Sequence, residues 1–439
     1  MQTFIMTAQL ILGISILVIL HEFGHYLAAR AFGIKVEKFY LFFDAWGVKL
    51  FSFKVGDTEW GIGWLPLGGY VKIAGMIDES MDKEAMKQAP QPWEFRSKPA
   101  WQRLIVMIGG VVVNIVTGIV IFAMMSYAYG EKYIKNESVK NGIVPSELAK
   151  EYGFKVGDKL ISVNGSNITR FEDALKIKHI LSEGVSYQVE RNGEKLDLAL
   201  PADFVKKFGD EKKDFFLPRM RFFVNELTPG YHAEKAGLLV GDVITKVNDS
   251  AFTYFDEFQG ILKIFAGKEV MFEVSRGAEI LKLPIQIDET GRVGFKPDSK
   301  DFDYEVVNYS FFASFPAGLD KAVETIDAQI KGWAKIFKGD IAVNKAVQGP
   351  IGIAKFYGGE WIWSRFWMLT ALISLGLAFM NILPIPALDG GHVIFLLVEM
   401  IIGRPLSEKF LETVQYIGMI LLLTLMVLIF GNDIWGLLK

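Results

Sequence analysis

The 439-residue chain contains no cysteine and only five histidines. Disulfide frameworks, thiolate nucleophiles and cysteine-ligated metal sites are therefore excluded, and any metal has to be held by His, Asp or Glu. Charge is also scarce: charged residues make up 22% of the chain against 51% hydrophobic, and the formal net charge is −3. No run of Lys or Arg concentrates a positive field, which excludes a nucleic-acid footprint. The balance points to a membrane protein with sizeable soluble parts. No Lys or Arg occurs before Arg30, so the first apolar stretch lacks the basic leader of a secretory signal. It runs into His21-Glu22 rather than a small-residue cleavage site, and it reads as a retained helix.

Long apolar runs are what the chain has in quantity. Four of them, approximately Phe4 to Leu20, Leu104 to Tyr129, Phe366 to Leu388 and Thr413 to Phe430, approach the roughly 20 residues that a helix needs to cross a bilayer. Eleven Lys and Arg lie from Arg30 to Arg103, Arg404 and Lys409 fall between the third and fourth runs, and only Lys439 follows the fourth. Excess positive charge marks cytoplasmic loops. The 31–103 and 389–411 loops are thus expected inside, with both termini and the insert at about 131–364 outside.

Within the insert, Gly153 to Asn164 aligns without gaps with Gly237 to Asn248, and Phe171 then matches Phe255. Gly157 and Gly241 set an offset of 84 residues, too long for a solenoid repeat and right for two small domains in tandem. Both copies resemble PDZ domains, whose Ala-Gly-Leu-x-x-Gly-Asp-x-Ile-x-x-Val-Asn pattern is nearly intact from Ala236 to Asn248. That resemblance implies peptide binding by strand addition, with the groove strand of the second copy near Phe222 to Leu227 and of the first near Gly142 to Leu148. The alternative is that the domains only screen the membrane part sterically. Between Ser310 and Phe337, apolar residues recur three or four apart, the pattern of an amphipathic helix on the outer membrane surface or against the second repeat.

The chemistry concentrates in His21-Glu22-Phe23-Gly24-His25. Two His four apart share one helix face, and a Glu beside the first reaches a water on the same metal. A zinc ion there polarises a peptide carbonyl and acidifies its water, while Glu22 accepts and returns the proton. The motif closes an apolar span, where ionisable residues are costly and usually functional. A third ligand is needed, and Ala28 and Ala31 exclude the extended metzincin pattern. His179 and His232 belong to the insert, on the wrong side, and His392, though closer, reads as a residue that packs or that supports a ligand from behind. Asp389 is the better ligand: it follows a Pro-broken span entering from outside and so lies at the same depth as the end of the first span.

Together with Asn381-Ile382-Leu383-Pro384-Ile385-Pro386-Ala387-Leu388-Asp389-Gly390, these residues resemble the site-two protease family of intramembrane zinc metalloproteases. The two PDZ-like copies between spans two and three narrow the resemblance to its bacterial RseP type, and it covers nearly the whole chain. It implies His21, His25 and Asp389 as zinc ligands, Glu22 as the base, and Asn381 and Pro384 as residues that hold substrate. It also implies pre-trimmed single-span substrates, such as anti-sigma factors or remnant signal peptides, and a bacterial inner-membrane location with a PDZ pair acting as a size filter. A non-catalytic PDZ scaffold and a zinc-dependent transporter are the alternatives; the first leaves Glu22 and Asp389 unexplained, and the second lacks inverted repeats.

A helix satisfies its own backbone, so a scissile bond in the membrane has to be unwound and its polar groups taken up elsewhere. Residues 35–73 alternate like strands and resemble the family's membrane-embedded sheet, with Gly68, Gly69 and Tyr70 on its substrate-binding edge or, alternatively, Gly68-Gly69 as an ordinary turn. Phe42-Phe43-Asp44 departs from the family's Gly-Phe-Gly turn. In the second span, Gly109-Gly110 and Asn114 read as close helix packing with one interhelical hydrogen bond.

The expected fold is a polytopic α-helical membrane protein with four transmembrane helices, a cytoplasmic-side membrane-embedded β-sheet and two extracytoplasmic PDZ-like α+β domains. The first membrane helix takes residues 1–34, the sheet and a cytoplasmic loop 35–103, and the second helix 104–130. The PDZ-like domains take 131–219 and 220–304, and the amphipathic region 305–364. The third helix takes 365–388, the Leu-Asp-Gly motif with its loop 389–411, the fourth helix 412–431 and the tail 432–439.

Overall fold

The computed structural model describes residues 2–76, 89–176, 179, 184–201, 204, 207, 215–228, 230–339 and 349–438. The chain forms two compact units, one from residues 1–130 with 308–439 and the other from Glu131–Val307.

The first unit is built on helices. Stretches long and apolar enough to cross a membrane lie in α1 (Gln2–Ala31), α2 (Ala100–Tyr129), α5 (Trp363–Ile382) and α7 (Glu408–Leu438). Small residues let their backbones close up, as expected where lipid offers no hydrophobic drive. A Cβ on Gly24 of α1 would lie 2.3 Å from the Gly109 carbonyl oxygen of α2, and one on Gly118 would lie 2.7 Å from Leu375 of α5.

The amphipathic segment is helix α3 (Phe311–Lys338), capped by the Ser310 hydroxyl and ended by left-handed Gly339. Its buried Ser314, Gly318 and Ala322 form one stripe, and a Cβ on Gly318 would lie 2.6 Å from the Ala123 nitrogen of α2. This side therefore packs on α2, an arrangement neither sequence alternative contains. A short helix α4 (Pro350–Tyr357) follows, and the Asp433 carboxylate of α7 accepts the N–H groups of Gly349 and Ile351 at its start.

Two boundaries differ from expectation. Helix α5 ends at Ile382 rather than Leu388, because Pro384 and Pro386 cannot continue it. Most of the region read as a loop is a further helix, α6 (Asp389–Ile402). Gly390 and Gly391 admit the preceding turn: Cβ atoms there would lie 2.1 Å from the Leu383 oxygen and 2.7 Å from the Ile385 oxygen. The buried cluster of Ala29, Ile34, Val36, Ile73, Val106, Met107, Val393 and Leu396 joins α1, the sheet, α2 and α6.

The sheet comprises β1 (Val36–Phe43), β2 (Lys49–Val55), β3 (Thr58–Gly63) and β4 (Leu65–Ile73), ordered β2-β3-β1-β4. Strand β4 is an edge, and Gly68-Gly69 lie inside it rather than in a turn. Phe42 adopts φ +65° at a bulge in the β1–β4 pairing, a conformation that a glycine adopts more cheaply. Beside it, Asp44 accepts from Lys38 at 2.9 Å and from the Tyr70 hydroxyl at 2.8 Å.

In the second unit the internal repeat recurs in the structure. Each copy has a four-stranded sheet and a separate two-stranded one. Buried Asp158 accepts the Lys155 N–H at 2.8 Å and pairs with Arg191, whose guanidinium also reaches the Gly153 oxygen at 2.7 Å. Asp242 accepts the Leu239 N–H at 2.8 Å and pairs with Arg276, which reaches the Gly237 oxygen at 2.8 Å. Strands Glu131–Ile134 and Tyr304–Val307 pair antiparallel, so the two ends of the unit meet.

The expected groove strands need correction. Strand Phe223–Leu227 pairs with Phe295–Asp298 on one side, and on the other Val224 exchanges backbone bonds of 2.9 and 2.7 Å with Asp242 and Gly241. In the first copy Ile143 is held in the same way, between Phe216–Pro218 and residues Gly157 and Asp158. In the two-stranded sheets, the strands Phe295–Asp298 and Phe216–Pro218 pair with a strand on one side only, among the described residues.

Candidate metal centre

Residues His21 and His25 lie one turn apart on α1, and Asp389 is the first residue of α6. Their donor atoms form a nearly regular triangle. His21 Nε2 lies 3.3 Å from His25 Nε2 and 3.2 Å from Asp389 Oδ2, and His25 Nε2 lies 3.4 Å from the same oxygen. Tetrahedral zinc with bonds of about 2.0–2.1 Å would separate its ligand atoms by about 3.3–3.4 Å, so the spacing fits.

The donor chemistry fits as well. The ring proton of His25 is on Nδ1, which donates to the Val106 oxygen at 2.8 Å and leaves an Nε2 lone pair facing the centre. Asp389 Oδ2 is buried with no hydrogen-bond partner. Lone pairs crowded together out of water call for a cation. Among the described residues this is the one cluster of His and acidic side chains able to hold a metal.

Local backbone explains how Asp389 gets there. After α5 ends, Ile385 N–H bonds the Leu383 oxygen and Leu388 N–H bonds the Ile385 oxygen, a tight turn through Pro384 and Pro386. Ala387 within it has φ +76°, a strained conformation of the kind held at functional sites. The same turn leaves Asn381, in the last turn of α5, with Nδ2 3.2 Å from His21 Nε2.

Of the remaining residues singled out from the sequence, Glu22 follows His21 directly and lies within electrostatic reach of His25. Gly69 of β4 sits against α1, where its Cβ would meet Val18 Cγ1 at 2.7 Å. Val18 precedes Glu22 by one helical turn. Gly68 and Tyr70 face the other side of the strand, where Phe43 stacks on Tyr70 at 5.9 Å between centroids. Pro384 lies in the turn, and His392 is on α6 against Phe395 rather than in the triangle. Helix α2 adds three contributions: Gly110, whose Cβ would lie 2.4 Å from His25 Nε2, and Asn114, whose amide lies 3.1 Å from His21 Nδ1, give the close packing and interhelical hydrogen bond expected of them but at the metal centre itself, and the Val106 carbonyl is the one that sequence spacing misses.

The model of peptidase family M50 matches residues 9–425 of this chain. The chain belongs to peptidase family M50. Among its relatives, the Regulator of sigma E protease of Haemophilus influenzae is 30% identical over 444 residues, covering 96% of this chain and 97% of its own. The Regulator of sigma-E protease RseP of Escherichia coli is 30% identical over 456 residues, 97% of each. A Neisseria meningitidis protein whose name includes the words zinc metalloprotease is 29% identical over 450 residues, 98% of each. This M50 member is a zinc-dependent protease of the site-two type, and its four apolar helices make it a membrane protein.

Proposed function

We propose that the protein cleaves a peptide bond inside a membrane-spanning segment, with zinc held by His21, His25 and Asp389 and with Glu22 as the general base. The supporting observation is the 3.2–3.4 Å donor triangle, two corners of which lie on a helix apolar enough to cross a bilayer. Bound there, zinc polarises a peptide carbonyl and lowers the pKa of a water to about 7. Glu22 takes the proton of the attacking water and passes it to the leaving amine. Asn381 offers an N–H donor beside the reacting carbonyl, the position from which developing charge is stabilised. Pro384 shapes the turn along which the substrate lies.

A substrate helix has to unwind before it can react. Strand β4, the edge of its sheet among the described residues, receives the opened backbone along Gly68, Gly69 and Tyr70. The contact of Gly69 with Val18 brings that edge within about one turn of Glu22.

The substrates are pre-trimmed single-span proteins, anti-sigma factors or remnant signal peptides, in keeping with the sigma-E regulation carried in the names of two relatives. The site lies near the cytoplasmic face of a bacterial inner membrane, with both termini and the insert outside. Residues 131–219 and 220–304 act as PDZ-like domains that exclude untrimmed chains. In the second, the edge of Phe295–Asp298 is the place for a peptide.

The test is Glu22→Gln in the full-length protein, with zinc content and cleavage of a model transmembrane substrate both measured. Zinc is expected to stay and cleavage to stop; cleavage at the original rate would overturn the mechanism.

A further inference from the structure

We propose that Asn114 is a positioning residue for the metal centre: its side-chain oxygen accepts the Nδ1–H of His21 and so aims Nε2 of that ring at the ion. The inference rests on the reading of His21, His25 and Asp389 as zinc ligands.

A neutral imidazole carries one ring proton. With Nε2 given to a metal, that proton sits on Nδ1 and needs an acceptor. For His25 the acceptor is the Val106 carbonyl. For His21, the amide atom facing Nδ1 at 3.1 Å is Nδ2 of Asn114, itself a donor, while Oδ1 of the same amide is buried with no partner. Amide oxygen and nitrogen are nearly isosteric, and hydrogen bonding decides between them. The orientation with Oδ1 on His21 satisfies both groups at once.

The surroundings fix Asn114 for this role. It is fully buried in an apolar helix, and the Ser374 hydroxyl of α5 donates to its main-chain oxygen at 2.8 Å. Val106, Gly110 and Asn114 recur every four residues on α2, the same interval that separates His21 from His25 on α1. One stripe of α2 thus supplies a carbonyl for one ring, room for both rings, and an amide for the other. Leu at position 114, close to Asn in size but with no acceptor, would leave His21 free to turn or to exchange its tautomer.

The test measures zinc affinity of the full-length protein by chelator competition, a readout independent of proteolysis. Asn114→Leu is expected to weaken zinc roughly 10- to 100-fold. Asn114→Asp, which keeps an acceptor and has no donor, is expected to stay within about threefold of the parent. Asn114→Ala should show the same loss as Asn114→Leu and serves where the bulkier variant does not fold. Unchanged affinity in Asn114→Leu or Asn114→Ala, with zinc lost in His21→Ala, would overturn the positioning role and leave the ligand reading standing. Normal zinc binding by His21→Ala would overturn the ligand reading itself. Loss in Asn114→Asp as deep as in Asn114→Leu would overturn the accepting amide.

Discussion

A Cβ added to Gly110 would lie 2.4 Å from His25 Nε2 and 2.6 Å from His21 Cε1. Helix α2 therefore runs against both imidazoles with no spare volume. Gly110→Ala should push at least one ring off its position, weaken zinc and lower the cleavage rate about 100-fold, the scale of a misplacement near 1 Å. Gly260→Ala, where nothing lies within 4 Å, is the control expected to change neither zinc content nor rate.

The edge strand gives a variant of the opposite kind. A Cβ on Gly69 would meet Val18 and the Tyr40 oxygen, each at 2.7 Å, which shifts β4 without touching a ligand. Gly69→Ala should raise KM for a transmembrane substrate and leave zinc affinity unchanged. Loss of zinc in that variant would show that β4 supports the metal centre rather than the substrate.

Arg103 of α2 pairs with Glu399 of α6, the helix that carries Asp389, and only 14% of each side chain is exposed. Removing Glu399 leaves the nearly buried Arg103 without its counter-ion, though its Nε still donates to the Lys98 oxygen at 3.0 Å, so Glu399→Gln should cost about 3 kcal/mol, the lower end for a broken buried pair. Replacing both with Met should recover most of that loss. Unfolding midpoints of the detergent-solubilised protein compare the two.

In the second unit, Asp242 is 1% exposed and bonded to Arg276. Burial pushes its pKa up, but the hydrogen bonds from Arg276 and the Leu239 N–H outweigh that and hold the carboxyl below its ordinary value. A folded pKa below the unfolded value of about 3.9 contributes stability that is complete above that value and is lost as pH falls through the folded pKa. Asp242→Asn should therefore lower the unfolding temperature at pH 7, and the gap to the parent should close in strong acid.

Local patterns made much of this legible. The spacing of His21 and His25 is a property of one helix, and the strands β1 to β4 follow from alternation. Asp389, far along the chain, is reached only through the membrane depth that charge bias assigns. Val106 is illegible, because a main-chain carbonyl has no residue identity, and Asn114 reads as helix packing with one interhelical hydrogen bond whose partner, 93 residues away, the sequence does not name. Residues 389–411 read as a loop, whereas most of them form α6, in which Gly390 and Gly391 make room for the carbonyls of the preceding turn. The groove strand fails for a related reason: Val224 pairs with Pro297, and nothing in its own neighbourhood announces that partner.

The antiparallel stem of Glu131–Ile134 with Tyr304–Val307 turns a long excursion into the mechanical equivalent of a short hairpin between α2 and α3. The loop-closure entropy of everything beyond the stem is settled within the insert itself. Residues added or removed beyond the stem thus leave its two ends paired, and the stem marks the seam at which such an insert is open to being trimmed, enlarged or exchanged as a cassette.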